Sequence, residues 1–423
     1  MFRRLSVFWA VWLGLSFGGL FAQDAHNETV WHAWVSARGL AGDGDGRSWT
    51  RGDFGKLLVD EGQNGAFAEA RFGVERQWHQ AFGVSAWGLL RSEANDFGDD
   101  WALGEAFARG AFPISNAWRL RYKAGHFFPP SSAAHIDPMW STPYTLTFST
   151  IDSWIAEEVR HTGLELGFDK EWGNQNSWLL TGSWLRGNDT QGTLLAWRGA
   201  SHGHRLSGYG EFLPLPAIPS LQPGNLFSLQ TDRGTQAYGR ELDGNWGWSA
   251  RTALELGGRF LLQALLSDNR ADRELHNGQY AWETRYQHLS LSWDLDPDRN
   301  WTLLAEWLDG ASGMGERTGA HVQIDFQLWY GLLSLRSPDR HWRFSLRYDD
   351  VHIIDRDRLD TAFNPDASDE RGDSLTAAIF WEPQRHWRLG LEWLDGDFTH
   401  ATLDQTPLNL HTGLISVEAR YRF

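Results

Sequence analysis

Arginine carries almost all the positive charge of this 423-residue chain: of 38 basic residues only Lys56, Lys123 and Lys170 are lysine. A guanidinium keeps its charge at any physiological pH and grips a carboxylate or phosphate with two parallel N–H groups. Several cations stand at alternate positions, as in Arg119, Arg121 and Lys123 or Arg343 and Arg347, and Arg388 stands four residues before Glu392. In an extended strand that spacing puts them on one face. Two uses of such a face remain open. The arginines and glutamates pair across strands and brace a polar wall, or they form a cationic track that guides anionic or sugar-like solutes.

Other candidate chemistry is sparse. The stretch 349–373 holds nine acids against Arg356, Arg358 and Arg371; it suits a hydrated loop better than a Ca²⁺ site. The Gly-Asp-Gly-Asp-Gly run at 42–46 lacks the later Glu of a Ca²⁺ loop, and His202 with His204 lacks a third ligand, so no metal and no cofactor is expected. There is no cysteine, which excludes disulfide staples and thiolate chemistry. Gly-x-Ser-x-Gly, His-Glu-x-x-His and phosphate-cradling glycine loops are all missing, so the chain reads as a non-enzyme. A formal net charge of −16 argues against a nucleic-acid partner.

The elements that must position these charges are strands. From Trp342 one face reads Trp342, Phe344, Leu346, Tyr348 and the other Arg343, Ser345, Arg347, Asp349. Three tight turns share Pro-x-Arg-x-Trp, at 297–301, 338–342 and 383–387, and each Trp opens an alternating strand. A second indole follows six residues on in Trp178/Trp184, Trp301/Trp307 and Trp387/Trp393. Even spacing keeps both on the apolar face, and with Trp342 they predict two aromatic girdles at membrane interfaces. Twenty-six Trp in a chain of mean hydropathy −0.46 fit that pattern.

Tracing the alternation gives strands near 29–39, 64–75, 80–91, 101–112, 116–126, 158–170, 177–187, 192–199, 204–212, 245–256, 259–268, 280–295, 300–309, 319–335, 341–350, 373–382, 385–396 and 410–423. The expectation is all-β: a transmembrane antiparallel up-and-down β-barrel of about 18 strands, with 16 as the alternative because the pairs at 192–212 and 236–256 are the weakest. Tight turns would face the periplasm and long polar loops the exterior.

Residues 127–157 form a long loop with Phe127, Phe128, Trp140, Tyr144, Phe148 and Trp154. Such aromatics need burial, and the barrel interior is the nearby place to find it. Ser149 with Asp152 three residues on predicts a short helix through Glu158. It would carry Asp152, Glu157 and Glu158 toward a pore axis. Capping the barrel from outside is the alternative.

The two ends frame the reading. Arg3 and Arg4, an apolar run to Phe21 and Ala22-Gln23-Asp24 predict a secretory signal over 1–22 and a single mature domain over 23–423. The final strand ends in Tyr421 and Phe423 with apolar and polar residues alternating before them. This strand resembles the assembly signal of Gram-negative outer-membrane β-barrels. Together with the girdles and the inward loop, the mature chain resembles the outer-membrane porin class over essentially its whole length. The resemblance implies outer-membrane localisation, contact with lipids and lipopolysaccharide, handling by the barrel-assembly machinery and, as one option, a homotrimer. It also implies passive diffusion of small hydrophilic solutes. An export barrel for an anionic polymer and a non-conducting structural or adhesive barrel stay as alternatives.

Overall fold

Period-two alternation of apolar and polar side chains, interrupted by turns, dictates strands that pair with their chain neighbours. The computed structural model describes residues 28–60, 62–92, 100–173, 175–230, 234–236, 239–358, 369–401 and 407–423. The expected signal over 1–22 and the middle of the acidic loop lie outside the described residues. Sixteen strands close into one antiparallel barrel. They are β1 (Glu28–Gly42), β2 (Asn64–His79), β3 (Phe82–Arg91), β4 (Trp101–Pro113), β5 (Trp118–Phe127), β6 (His161–Trp172), β7 (Asn176–Arg186) and β8 (Gly247–Leu256) in the first half. The second half has β9 (Phe260–Asp268), β10 (Glu283–Asp294), β11 (Trp301–Gly315), β12 (His321–Arg336), β13 (Trp342–Asp355), β14 (Glu370–Gln384), β15 (Trp387–His400) and β16 (Leu408–Arg422). Each pairs with the next, and β1 pairs with β16 from Trp34↔Arg422 to Gly42↔Leu414, so neither is left as an edge.

Sixteen, the lower of the two counts, is correct. The stretches 192–199 and 204–212 are not wall strands. Gly192 and Gly199, both at positive φ, bracket a single helical turn and a half, α2 (Thr193–Arg198), since α1 (Thr150–Glu158) precedes it. A Cβ on Gly199 would stand 1.9 Å from the Glu370 carboxylate. Every residue of α2 is buried, so no polar face marks it as a helix in the sequence.

The outer surface is apolar and aromatic. Trp31, Trp101 and Leu90 are each more than 60% exposed, a burial pattern that only a lipid surround satisfies. Trp301, Trp342, Trp387 and Trp393 are exposed and Trp307 is half-buried on that same face. Register aligns indoles across strands in two rows: Trp342↔Trp381 near the tight turns, Trp184↔Trp248 and Trp307↔Trp329 farther along. In the tight turns Arg299 and Arg340 adopt φ of 55° and 65°. Each guanidinium reaches the neighbouring turn, Arg340 donating to the Asp298 carbonyl at 2.5 Å and Arg299 to the Gly258 carbonyl at 2.6 Å. That link gives the shared arginine of the turn motif a structural role.

Candidate pore and its internal straps

Alternation turns one face of every strand into the barrel, and the expected charges arrive there. Arg119, Arg121, Lys123, Arg343, Arg347, Arg388 and Glu392 share the inward face by register. Asp325 points outward beside Arg356 at 2.9 Å because its neighbours Ile324 and Phe326 take the interior.

The interior is filled by two segments. The first strap, 128–160, leaves β5 and returns at β6. The Ser149 hydroxyl accepts the Asp152 amide at 3.0 Å and opens helix α1, as its sequence predicts. The second strap, within 187–246, carries α2. Both straps send side chains into the barrel interior: Trp140, Phe148, Trp154 and Trp197 join the inward Leu304, Leu308, Phe326 and Leu332 in one apolar core. Trp154 packs edge-on to Tyr286 at 5.3 Å, and Trp140 stacks on His135 at 3.6 Å. Burial of each such side chain is worth about 1.5–3 kcal/mol, which holds the straps in place.

Wall charges satisfy the strap's backbone. Glu306 accepts from the Ala133 amide at 2.6 Å, the Ser132 hydroxyl at 3.1 Å and the Tyr330 hydroxyl at 2.6 Å, and lies 2.7 Å from His288 Nε2. Glu392 accepts the amides of Leu146 and Thr147 and the Thr147 hydroxyl. Arg347 donates to the Thr147 and Phe148 carbonyls and pairs with Asp349 at 2.6 Å. Arg388 donates to the Thr142 carbonyl at 3.1 Å and, with Arg38 and Arg420, surrounds Glu418. These groups are almost wholly removed from solvent. Arg343 donates to Ser334 at 3.1 Å and lies over the Tyr144 ring, whose hydroxyl burial pushes up to about 12.

The three strap acids are buried among protein partners. Asp152 lies 3.3 Å from His135. Glu157 pairs with Arg198 of α2. Glu158 accepts the Leu194 and Leu195 amides at 2.9 and 3.3 Å and the Trp154 indole at 2.9 Å. Burial lifts the Glu158 carboxyl to about 7 against the pull of those amides and Arg198. The expectation that these acids line a pore axis is thereby replaced: Glu157 and Glu158 tie the first strap to the second, and Asp152 braces the first strap internally through His135 and Ser149. Lys56, from the loop after β1, completes the plug by donating to Glu370 and to the Arg198 carbonyl at 3.3 Å.

One sector of wall escapes the straps. Arg109 and Arg121 keep 26% and 30% of their side-chain surface in solvent, and Lys123 is half-buried between them. Arg109 pairs with Glu75 at 2.7 Å, Arg119 with Asp169 and Glu171, whereas among the described residues Arg121 has only a loose ion pair, with Asp169 at 3.7 Å. Lys123 and the nearby Arg251 have no ion-paired or hydrogen-bonded carboxylate among the described residues; Lys123 lies over Phe107 and Phe127 at 5.0 and 4.8 Å. Cross-strand bracing therefore accounts for most wall arginines, and a cationic strip remains on β4–β5. A further trio, Ser131, His288 and Glu306, has a relay geometry of 2.9 and 2.7 Å that the sequence separation hid.

No protein-family model matches the chain, and no curated protein matches its sequence. Solved structures do match its fold. The outer-membrane channel DcaP of Acinetobacter baumannii aligns with a TM-score of 0.52 and 12% identity over 95% of this chain and 99% of that one. This chain has the fold of the outer-membrane porin barrels. The anion-selective porin of Comamonas acidovorans aligns at 0.50 with 9% identity, covering 94% of this chain and all of that one. Vibrio cholerae OmpT in its trimer form gives the same score and identity over 94% and 100%. At such identities the likeness reaches the barrel and not its contents; in this porin-fold barrel the contents are the two straps.

Proposed function

We propose that this barrel is a selective outer-membrane channel for small hydrophilic solutes, with anions favoured, rather than a wide general pore. The observation that carries the reading is the solvent-facing strip of Arg109, Arg121 and Lys123, the sector of inner wall that the straps leave uncovered. Fixed positive charge in a narrow, poorly screened passage raises the local concentration of anions and sets which ion enters. The anion-selective Comamonas porin shares the fold and is consistent with this assignment.

Residues 1–22 act as a cleaved export signal in this reading. The two indole rows form interfacial girdles that contact lipid and lipopolysaccharide, and the terminal strand engages the assembly machinery. A homotrimer is the assembly, in line with the trimer form of the Vibrio protein. We read the barrel as non-catalytic: Ser131, His288 and Glu306 are each at most 2% exposed, and Glu306 is committed to strap amides. An export route for an anionic polymer calls for an open, Arg-dominated lumen, and the apolar core beside β10–β12 speaks against it. That same core favours one second reading, a closed structural barrel.

Planar-bilayer recordings test the proposal. The mature chain should conduct, with a reversal potential in a KCl gradient that indicates anion preference, and the Arg121→Ala/Lys123→Ala variant should move that potential toward cations. An unchanged potential sinks the strip assignment. Absence of conductance from inserted, folded protein favours the closed barrel.

A further inference from the structure

At the neck of the second strap, three carboxylates meet where the chain enters and leaves the barrel interior. Asp189 lies three residues beyond β7, and Glu241 and Asp243 lie just before β8. The two chains are tied by the Gly239 amide donating to the Gly187 carbonyl at 2.7 Å and the Asp189 amide to the Arg240 carbonyl at 3.3 Å. One ligand oxygen from each acid lies within 4.8 Å of the others. Two oxygens bound to a single Ca²⁺ at 2.3–2.6 Å stand at most about 5 Å apart, so the spacing is that of a shared cation.

Asp189 is fully buried. Its Oδ2 accepts the Leu242 amide at 2.5 Å and the Asp243 amide at 3.3 Å, which turns the carboxylate toward the other two acids, while Oδ1 is buried with no hydrogen-bond donor among the described residues. An unmet buried carboxylate oxygen costs about 1–3 kcal/mol or more. Glu241 Oε1 has the half-exposed Arg186 guanidinium at 3.2 Å, and its Oε2 accepts the Gly187 amide at 2.9 Å. The Asp243 oxygens accept the Asn245 and Asp272 amides at 2.6 and 2.7 Å. Every donor apart from Arg186 is a neutral amide, so three acids face one peripheral cation.

We propose that Asp189, Glu241 and Asp243 bind one divalent cation of the Ca²⁺ type, which cross-ties the two chains at the neck of the second strap. The missing donor at Asp189 Oδ1 is the metal, and water with nearby carbonyls completes a hard-oxygen shell. The site is separate from the cationic strip and independent of the channel reading. It cannot be found from spacing, since more than fifty residues separate Asp189 from Glu241.

Calorimetric titration of the EDTA-treated, folded mature chain in detergent with CaCl₂ tests it. One cation per chain should bind with a dissociation constant of about 10⁻⁴–10⁻³ M, the range of extracellular modules. Asp189→Asn, which keeps an acceptor for the Leu242 amide, should weaken binding at least about tenfold. Should that variant fail to fold, Asp243→Asn, at a half-exposed position, is expected to give the same loss. Asp350→Asn, in the outer acidic stretch, should leave the titration unchanged. Absence of binding up to about ten times that range, or equal binding by wild type and both site variants, overturns the proposal.

Discussion

Glu306 on β11 accepts the backbone amide of Ala133 at 2.6 Å, a bond from the barrel wall to the strap inside it. The same carboxylate takes His288, Ser132 and Tyr330, so removing it strands several buried polar groups at once. Glu306→Ala should therefore lower unfolding stability by about 3–5 kcal/mol, as for the loss of one member of a buried ion pair. Glu306→Gln keeps one acceptor oxygen and should cost about 1–3 kcal/mol. Denaturant unfolding in detergent micelles measures both; a loss under 1 kcal/mol for the alanine variant would mean the strap is not anchored there.

Glu158 gives the plug a pH dependence with a definite sign. Its carboxyl, lifted to about 7 by burial, holds a proton that the unfolded chain releases above about 4.3. The contribution is complete below about 4.3, falls as pH rises, and is lost once the folded group ionises near 7. The span is on the order of 3 kcal/mol, and Glu158→Gln should flatten that part of the stability profile. Glu158→Gln should leave ion preference unchanged, because the carboxylate faces α2 and Trp154 and not a solvent path. A selectivity shift would return Glu158 to the pore.

Much of the wall is legible in the sequence. Strands with one apolar and one charged face, such as Trp342–Asp355, announce their period, and the Pro-x-Arg-x-Trp turns fix their ends. Ser149 and Asp152 announce α1 because a cap is local chemistry. The contents of the barrel are less legible. Thr302, Leu304, Glu306 and Leu308 all point inward, so the inner face of β11 is half apolar, and alternation alone cannot say that a strap covers it. The segment 187–246 hides for the converse reason: α2 is buried on every side and too short to show a helical period. Glu157 and Glu158 look like pore acids until α2, more than thirty residues away, is placed against them, and Asp152 until His135 of its own strap is.

Phe423 offers a test of orientation and assembly. Its amide donates to the Ala33 carbonyl at 3.0 Å, its ring packs edge-on to Tyr421 at 5.1 Å, and its side chain is 74% exposed. A ring so exposed and so lightly held contributes little to the folded barrel, so its deletion should slow assembly in cells while costing the refolded protein under about 1 kcal/mol. Equal outer-membrane levels would remove the assembly-signal role. Epitope tags beside Pro338 should be hidden on intact cells and tags within 360–366 accessible; the reverse would invert the barrel.

Deleting 132–152 tests the first strap directly. The deletion removes the amide donors of Glu306 and Glu392 and the carbonyls that Arg347 and Arg388 reach, and it empties the space of Trp140, Tyr144 and Phe148. Wall charges that were dry then meet water, which solvates them better than an empty apolar cavity would, so the barrel should still close around its hydrogen-bonded wall. Single-channel conductance should rise, because the narrowest part of a passage dominates its resistance. The rise should be partial, since α2 and its surroundings still occupy the side lined by Lys56 and Glu370. Conductance equal to wild type from inserted protein would assign the limiting constriction to the second strap; the same recording on a double deletion that also removes 193–221 should then give the larger step.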